Sequence, residues 1–480
     1  IWTTLLVLAG ATCCLGSALP AGYNLGVLNN PAEIIQNFCN QSIIERYDVQ
    51  LTHNEVMILW ATIVSIFLIG GVTGSLVASW LADRFGRKGA LMIGNIFGIL
   101  GAILFLLVPA LNSIELLLAG RLIVGGLATS LLPMYMTEIA PLRLRGAVGV
   151  LCQLGITCGV FLGQIAGLDT MLGTEENWHI MLAGFSLLCA IALFLTFALP
   201  ESPKYLYIIK EHRLRNMDIM LLENEVAGLQ HEFVTKSSTD NWTIGRILKD
   251  STVRLPLLLV CSLQFGQQLT GISAVFYYSS SIFKDAGLGS TGSQYATLGT
   301  GFANIAMAVI SVPVMSLFHR RIVLLSSCYL CIGCLIKSGF LLSLFTRLLQ
   351  HTVSFMPWVC IVAVIVYVIF YGIGLGPIPY FIGSELFDVG PRPVAMALGS
   401  VCNWGGNFIV GMLFPTMLEL IGPYTFLIFT GCIILLAQFV GLFLIAFRFY
   451  LPETRGKSTM DVAASITQGL KSRPNAKPKT

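Results

Sequence analysis

The sequence predicts an all-α membrane protein: twelve transmembrane helices in two six-helix halves. Three observations carry that reading. Of the 480 residues, 55% are hydrophobic and only 11% charged, with mean hydropathy +0.81, whereas a soluble domain carries about 25% charged residues. Apolar runs of about 20 residues, the length that crosses a bilayer, recur along the chain. A polar segment at 200–254 then separates six such runs from six, an organisation that suggests two six-helix halves with a central cavity.

Taken in order, the spans are 3–28, 56–82, 89–109, 115–137, 147–168 and 178–199, then 255–283, 294–316, 322–346, 357–383, 395–418 and 423–447. The domains follow as 1–199 for the N-terminal half, 200–254 for a cytoplasmic linker with short helices, 255–449 for the C-terminal half and 450–480 for a cytoplasmic tail. The opening apolar stretch has no basic flank and runs on to full length, so it reads as a span and not a cleaved signal. With Ile1 in first place, the native amino terminus is expected upstream.

Short loops rich in arginine and lysine, at 83–88, 143–145, 319–321 and in the tail, fall on one side. Glu33, Glu45, Asp48, Glu55, Asp169, Glu175 and Glu176 fall on the other. The positive-inside rule puts both termini and the linker in the cytoplasm. Asn40-Gln41-Ser42, a glycosylation sequon, lies in the first outward loop and agrees with that orientation. The net charge of +4 is a topology signal and not a nucleic-acid footprint. Most of the 13 cysteines lie in apolar runs and act as small hydrophobes. Cys328, Cys331 and Cys334 have an iron–sulfur spacing, but inside an apolar span they read as a stripe of small residues.

Span 7 departs from plain hydrophobicity. Gln264, Gln267, Gln268 and Gly271 share one helical face, and Ser273, Tyr277 and Tyr278 follow. Polar residues can simply glue helices together. A cluster of amides and phenols is also what exchanges hydrogen bonds with a neutral molecule bearing many hydroxyls, and Gly271 relaxes the helix where such a solute could meet backbone. Span 10 contains Gly374, Gly376, Pro377 and Pro379, which break a helix and predict a hinge or gate. No catalytic triad, metal cluster or Walker-type phosphate loop emerges, so no enzyme, cofactor or metal is expected.

The motifs now become specific. DRFGRK at 83–88 resembles the loop between spans 2 and 3 of the major facilitator superfamily. EIAPLRLRGAVG at 138–149, PESPKYLY at 200–207 and PETRGKS at 452–458 resemble its sugar-porter branch. GYNLGVLN at 22–29, QQLTGISAVFYYSSSIF at 267–283, GLGPIPYF at 374–381 and GPRPVAMALGSVCNWGGNFIVG at 390–411 resemble the animal facilitative glucose transporters, the GLUT type.

The resemblance implies the major facilitator fold and facilitative uniport of a hexose, most of all D-glucose, by alternating access. It implies sugar contacts at Gln153, Gln267, Gln268, Ser273, Asn304, Tyr380, Asn403 and Trp404. It places gating at Tyr277, Tyr278, Gly374, Pro377 and Pro379. A cytoplasmic latch is implied among Arg84, Arg87, Glu138, Arg145, Glu201, Arg320, Arg321, Glu385, Arg392 and Glu453. The expected partners are the hexose and the lipid bilayer, with no nucleic acid and no obligatory protein partner. The expected location is the plasma membrane, with Asn40 glycosylated.

Asn24 stands where sugar–proton symporters of this superfamily commonly carry an aspartate, and an asparagine cannot titrate, which favours a uniporter. A proton-coupled symporter and a sugar sensor with little transport are the alternatives. The chain also departs from its relatives. Ser273 replaces a usual asparagine, Gly372 a glutamate and Tyr380 a tryptophan, while Gln264-Phe265-Gly266 replaces a QLS tripeptide, so the hexose is expected to be glucose, fructose or a related sugar. Span 4 reads about one turn short, acidic and glycine residues are missing from the loop around Arg320 and Arg321, and Lys337 lies deep in span 9.

Overall fold

The computed structural model describes residues 4–126, 145–202, 243–285, 287–318, 356–387 and 391–421, with a few positions at 132–139 and 322–330. The described residues form helices joined by turns and short coils and include no strand. Eight helical stretches among them are long and apolar enough to cross a membrane. Most of span 9, span 12, most of span 4 beyond Gly126, residues 203–242 of the linker and the tail lie outside the described residues.

The first span is α1 (Thr4–Cys13), a π-turn at Cys14–Ala18 and α2 (Leu19–Gly26). The loop between spans 1 and 2 then folds into α3 (Ala32–Tyr47), which sequence reading left as loop; it carries Asn40 and ends on Asp48 with φ 52°. Helix α4 (His53–Leu111) joins spans 2 and 3. Thr52 and Glu55 form a capping box at its start, and it turns at Gly86, whose φ of 83° a side chain rarely adopts. Then come α5 (Ile114–Gly125) and α6 (Arg145–Ala166). Span 6, read as one run, is divided at Gly184 and Phe185 into α7 (Trp178–Ala183) and α8 (Ser186–Thr196).

Beyond the linker, α9 (Ile244–Lys249) leads into α10 (Ser251–Leu269), capped by Asp250, which accepts from the Thr252 amide at 2.9 Å. Thr270 and Gly271 interrupt span 7, with Gly271 at φ 85°, before α11 (Ile272–Asp285). Helix α12 (Ser290–Leu317) is span 8. Span 10 breaks as its glycines and prolines require, into α13 (Met356–Ile373) and α14 (Ile378–Leu386). Span 11 is α15 (Arg392–Ile421).

Small residues position these helices. Gly22 and Gly26 of α2 face Gly159 and Gly163 of α6. A Cβ on any of the four would collide with a backbone carbonyl of the other helix, at Ile156, Val160, Leu19 or Tyr23. The i, i+4 spacing on both partners lets the two backbones touch, as small residues do within a bilayer. Gly74 of α4 likewise abuts the backbone of Gly126. In the other half, α10 packs along α15, and Val260 lies against both Gly383 and Gly399.

Candidate functional site

The amide face of α10 meets the break in span 10. Gln267 Nε2 donates to the Tyr371 hydroxyl at 2.7 Å and to the carbonyls of Leu375 and Gly376 at 2.9 and 3.0 Å. Gln264 Nε2 donates to the Pro379 carbonyl at 2.8 Å. Asn403 Nδ2 closes the set, reaching Gln264 Oε1 at 2.8 Å and Gln267 Oε1 at 3.1 Å. All three amides are buried. A broken helix frees carbonyls that lipid cannot satisfy, and here neighbouring amides take them up. Ser273 Oγ donates to Gln268 Oε1 at 2.6 Å, so the shortened side chain at 273 turns back onto its own span.

Gln153 comes to the same point from the other half. A Cβ on Gly376 would lie 3.6 Å from its Nε2, while its Oε1 is buried without a partner. Asn304 on α12 is 1% exposed, and neither its Oδ1 nor its Nδ2 has a partner. It lies beside Gly372, where a Cβ would stand 3.9 Å from Asn304 Oδ1 and 2.7 Å from Met307 Cβ. Met307 thus fills the room that a glutamate at 372 would need. Tyr380 packs with the cluster of the first half around Cys152 and Ile156. The structure therefore brings Gln153, Gln267 and Asn403 to the break in span 10, with Tyr380 just beyond it and Asn304 to its side at Gly372, while Gln268 and Ser273 pair with each other at the break in span 7.

Trp404 takes a different place. Its ring is 6% exposed, meets Phe67 edge-on at 5.9 Å and covers Gly71, where a Cβ would lie 2.7 Å away. It packs one half against the other. Tyr277 and Tyr278 are buried too, donating to Asn407 Oδ1 at 2.8 Å and the Gly411 carbonyl at 2.9 Å. Nearby, Asn29 bridges the halves: its Nδ2 donates to the Phe276 carbonyl and to Ser279 Oγ, and its Oδ1 accepts from the Ser280 amide. At the same end of the molecule Lys284 pairs with Glu33 at 2.8 Å.

On the opposite side, Arg87 forms a two-pronged pair with Glu138 at 2.8 and 2.9 Å, and Ser202 Oγ donates to the same carboxylate. Glu201 accepts from the backbone amides of Arg87 and Lys88. These bonds join spans 2, 3, 4 and 6 within the first half. Arg392 donates to the Phe387 carbonyl in the second. Arg84 sits exposed at the turn beside Gly86. Arg145 and Glu385 occupy helical positions at the ends of their helices, and Arg320, Arg321, Lys337 and Glu453 lie outside the described residues. Asn40 is half-buried on α3, and Ser42 of its sequon donates to the Asn112 carbonyl.

Sequence reasoning passed over several residues. Arg121 is 1% exposed in α5, donates to the carbonyls of Asn24, Ile63 and Val64, and lies 4.9 Å from the Phe67 ring. Asn24 is buried at its side, with Nδ2 on the Pro20 carbonyl. Tyr367 and Tyr371 were also missed, and each serves a helix break: Tyr367 donates to Thr270 at 3.0 Å. An arginine in an apolar span was the available signal for Arg121; nothing marked the two tyrosines among other aromatics.

A family profile described as "Sugar (and other) transporter" matches residues 10–464. Facilitated glucose transporter member 3 of solute carrier family 2 from Mus musculus is 38% identical over 476 residues, covering 97% of this chain and 93% of its own length. Member 5 from Rattus norvegicus is 36% identical over 470 residues, covering 96% and 91%. Among solved structures, the major facilitator superfamily proton:xylose symporter XylE bound to 6-bromo-6-deoxy-D-glucose has a TM-score of 0.77 at 22% identity, covering 96% of this chain and 99% of its own. That likeness establishes the fold.

Proposed function

The chain belongs to the sugar transporter family, in its GLUT-type branch, and from that premise we propose that it carries a hexose, D-glucose before fructose, down its gradient by alternating access. It is a multi-pass membrane transporter and not an enzyme. The observation that carries the proposal is the meeting of Gln153 from the first half with Gln267 and Asn403 from the second at the broken helix of span 10. Each amide offers a donor and an acceptor. A sugar hydroxyl can replace a carbonyl or amide partner at little net cost, because an internal hydrogen bond contributes only about 0.5–1.5 kcal/mol.

The site in this reading comprises Gln153, Gln267, Gln268, Ser273, Asn304, Tyr380 and Asn403, with Trp404 joining when the halves part. Tyr277 and Tyr278 gate the outer path, and the Gly374–Pro379 break gives span 10 its hinge. Arg87, Glu138 and Glu201 hold the inner end of the first half, as one side of a latch that Arg84, Arg145, Arg320, Arg321, Glu385, Arg392 and Glu453 complete. The 1–199 and 255–449 halves move about the 200–254 linker. Plasma-membrane residence, cytoplasmic termini and a glycan on Asn40 belong to the same reading.

Uniport is favoured over proton symport by Asn24. The fixed charge of Arg121 rests on backbone carbonyls, and its neighbour on α2 has nothing to titrate. The test is uptake of labelled D-glucose into liposomes holding the purified protein, with and without an inward proton gradient, alongside fructose, L-glucose and Gln267→Ala. Saturable D-sugar entry that ignores the gradient and is lost in Gln267→Ala is expected. Proton-driven accumulation would sink uniport. Sugar binding with no uptake would favour a sensor.

A further inference from the structure

Buried polar atoms without partners are few in folded proteins, and each calls for an explanation. Gln153 and Asn304, two of the residues assigned to sugar, bear that mark, and so does Gln164. It is fully buried in α6, with neither Oε1 nor Nε2 partnered. Eleven residues separate it from Gln153, about three turns, so the two amides project from one face of α6 roughly 16 Å apart.

That face lies against α12. A Cβ on Gly301 would collide with Gln164 Oε1, so the glycine is what admits the side chain. Asn304 stands three residues from Gly301 on the same side of α12, about 4.5 Å further inward. Asn30 completes that end: its Nδ2 donates to the backbone carbonyl of Gln164 at 2.9 Å, and its own Oδ1 is buried and unpartnered. Unsatisfied amide groups thus follow one another down the seam between the halves, from Asn30 and Gln164 through Asn304 to Gln153.

We propose that Gln164, with Asn30 Oδ1 beside it, is an outer subsite that binds a hydroxyl of the neutral sugar between the outer mouth and the central amides. The subsite takes polyhydroxylated, uncharged ligands, because no charged side chain contributes to it. The inference rests on the sugar-transport reading and adds a specificity-determining residue to it. Orphaned amides are costly to keep, so an apolar residue of similar length at 164 leaves the fold at least as stable while removing the contact. Packing alone would make the two effects run together.

The experiment measures inhibition constants of D-glucose and of each monodeoxyglucose against uptake of labelled D-glucose into liposomes, for the wild type and Gln164→Met, with thermal melting of both. Gln164→Met is expected to weaken D-glucose about tenfold without lowering the melting temperature. One deoxy sugar, the one lacking the contacted hydroxyl, should inhibit both proteins equally. Unchanged inhibition by D-glucose, or weakening that is uniform across the deoxy series, overturns the subsite and leaves the transport reading standing. Absence of saturable hexose uptake by the wild type overturns the transport reading itself. Should Gln164→Met not fold, Gln164→Glu, which keeps the shape and loses the amide donor, is judged by the same two outcomes.

Discussion

The two halves are held together by different chemistry. In the first, α2 meets α6 backbone against backbone through Gly22, Gly26, Gly159 and Gly163. In the second, α10, α14 and α15 meet through side chains, with Gln264, Gln267 and Asn403 spanning to the freed carbonyls of a broken helix. A glycine seam has one geometry, since any slide drives a carbonyl into the facing helix. Amide bonds can be exchanged one for another, or for sugar hydroxyls, without leaving a void. In the proposed transport cycle the first half is therefore the stiffer wall and the second the part whose contacts rearrange around substrate.

The largest expected effect breaks the wall. In Gly159→Leu the new side chain would enter the Leu19 carbonyl and the Gly22 backbone. Forced overpacking with no room to relax should remove about 3 kcal/mol or more of stability, read as loss of the monodisperse peak in size-exclusion chromatography. A variant that stays folded and transports would show that the seam can slide, and the contrast between the halves would fail.

Gln264→Leu tests the other chemistry. It strips the Pro379 carbonyl of its amide donor, at about 1–3 kcal/mol for a group left unsatisfied, and leaves Asn403 Nδ2 with Gln267 Oε1 alone. Folding is expected to survive, because helix packing is untouched, while D-glucose uptake falls by about 100-fold. Equal loss of melting temperature in Gln264→Leu and Gly159→Leu would mean that both halves are static.

A smaller effect sharpens the boundary between α12 and α13. Gly372→Glu restores a residue that related transporters commonly carry, but its Cβ would stand 2.7 Å from Met307 Cβ. Uptake should fall by about tenfold, the cost of roughly 1.4 kcal/mol of strain. Adding Met307→Gly should return most of it, and failure of that rescue would mean that Met307 is not what excludes the glutamate.

Much of this was legible in the sequence, for identifiable reasons. Span hydropathy is a one-dimensional signal, and the breaks at Gly271 and at Gly374–Pro379 are written in residue types that cannot continue a helix. The face shared by Gln264, Gln267 and Gln268 was readable because it repeats within a turn. Gln164 escaped because its match to Gln153 is three turns away, and only burial without partners gives it meaning. The ion pairs of Arg87 were foreseeable as inner-end charges, but not that its bonds to Glu138 would close within one half. Arg121 was passed over because its acceptors are backbone carbonyls, which no side-chain pattern names.

Arg121 also sets the last and smallest expectation. Its guanidinium lies against the Asn24 carbonyl in the fixed half, buried and facing a residue that cannot change charge. Asn24→Asp places a titratable carboxyl on the residue whose backbone carbonyl that cation holds, in the position a proton-coupled relative would use. When ionised, the new carboxylate would bind α2 to α5 through Arg121, and protonation would release it. Uptake by the variant should therefore be slower at neutral pH and recover as the outer pH falls, a few-fold change, while the wild type stays flat over the same range. A flat profile in the variant would mean that Arg121 is a structural plug on carbonyls alone. A rising one would mean that the rigid half, inert towards protons as it stands, is one side chain away from responding to them.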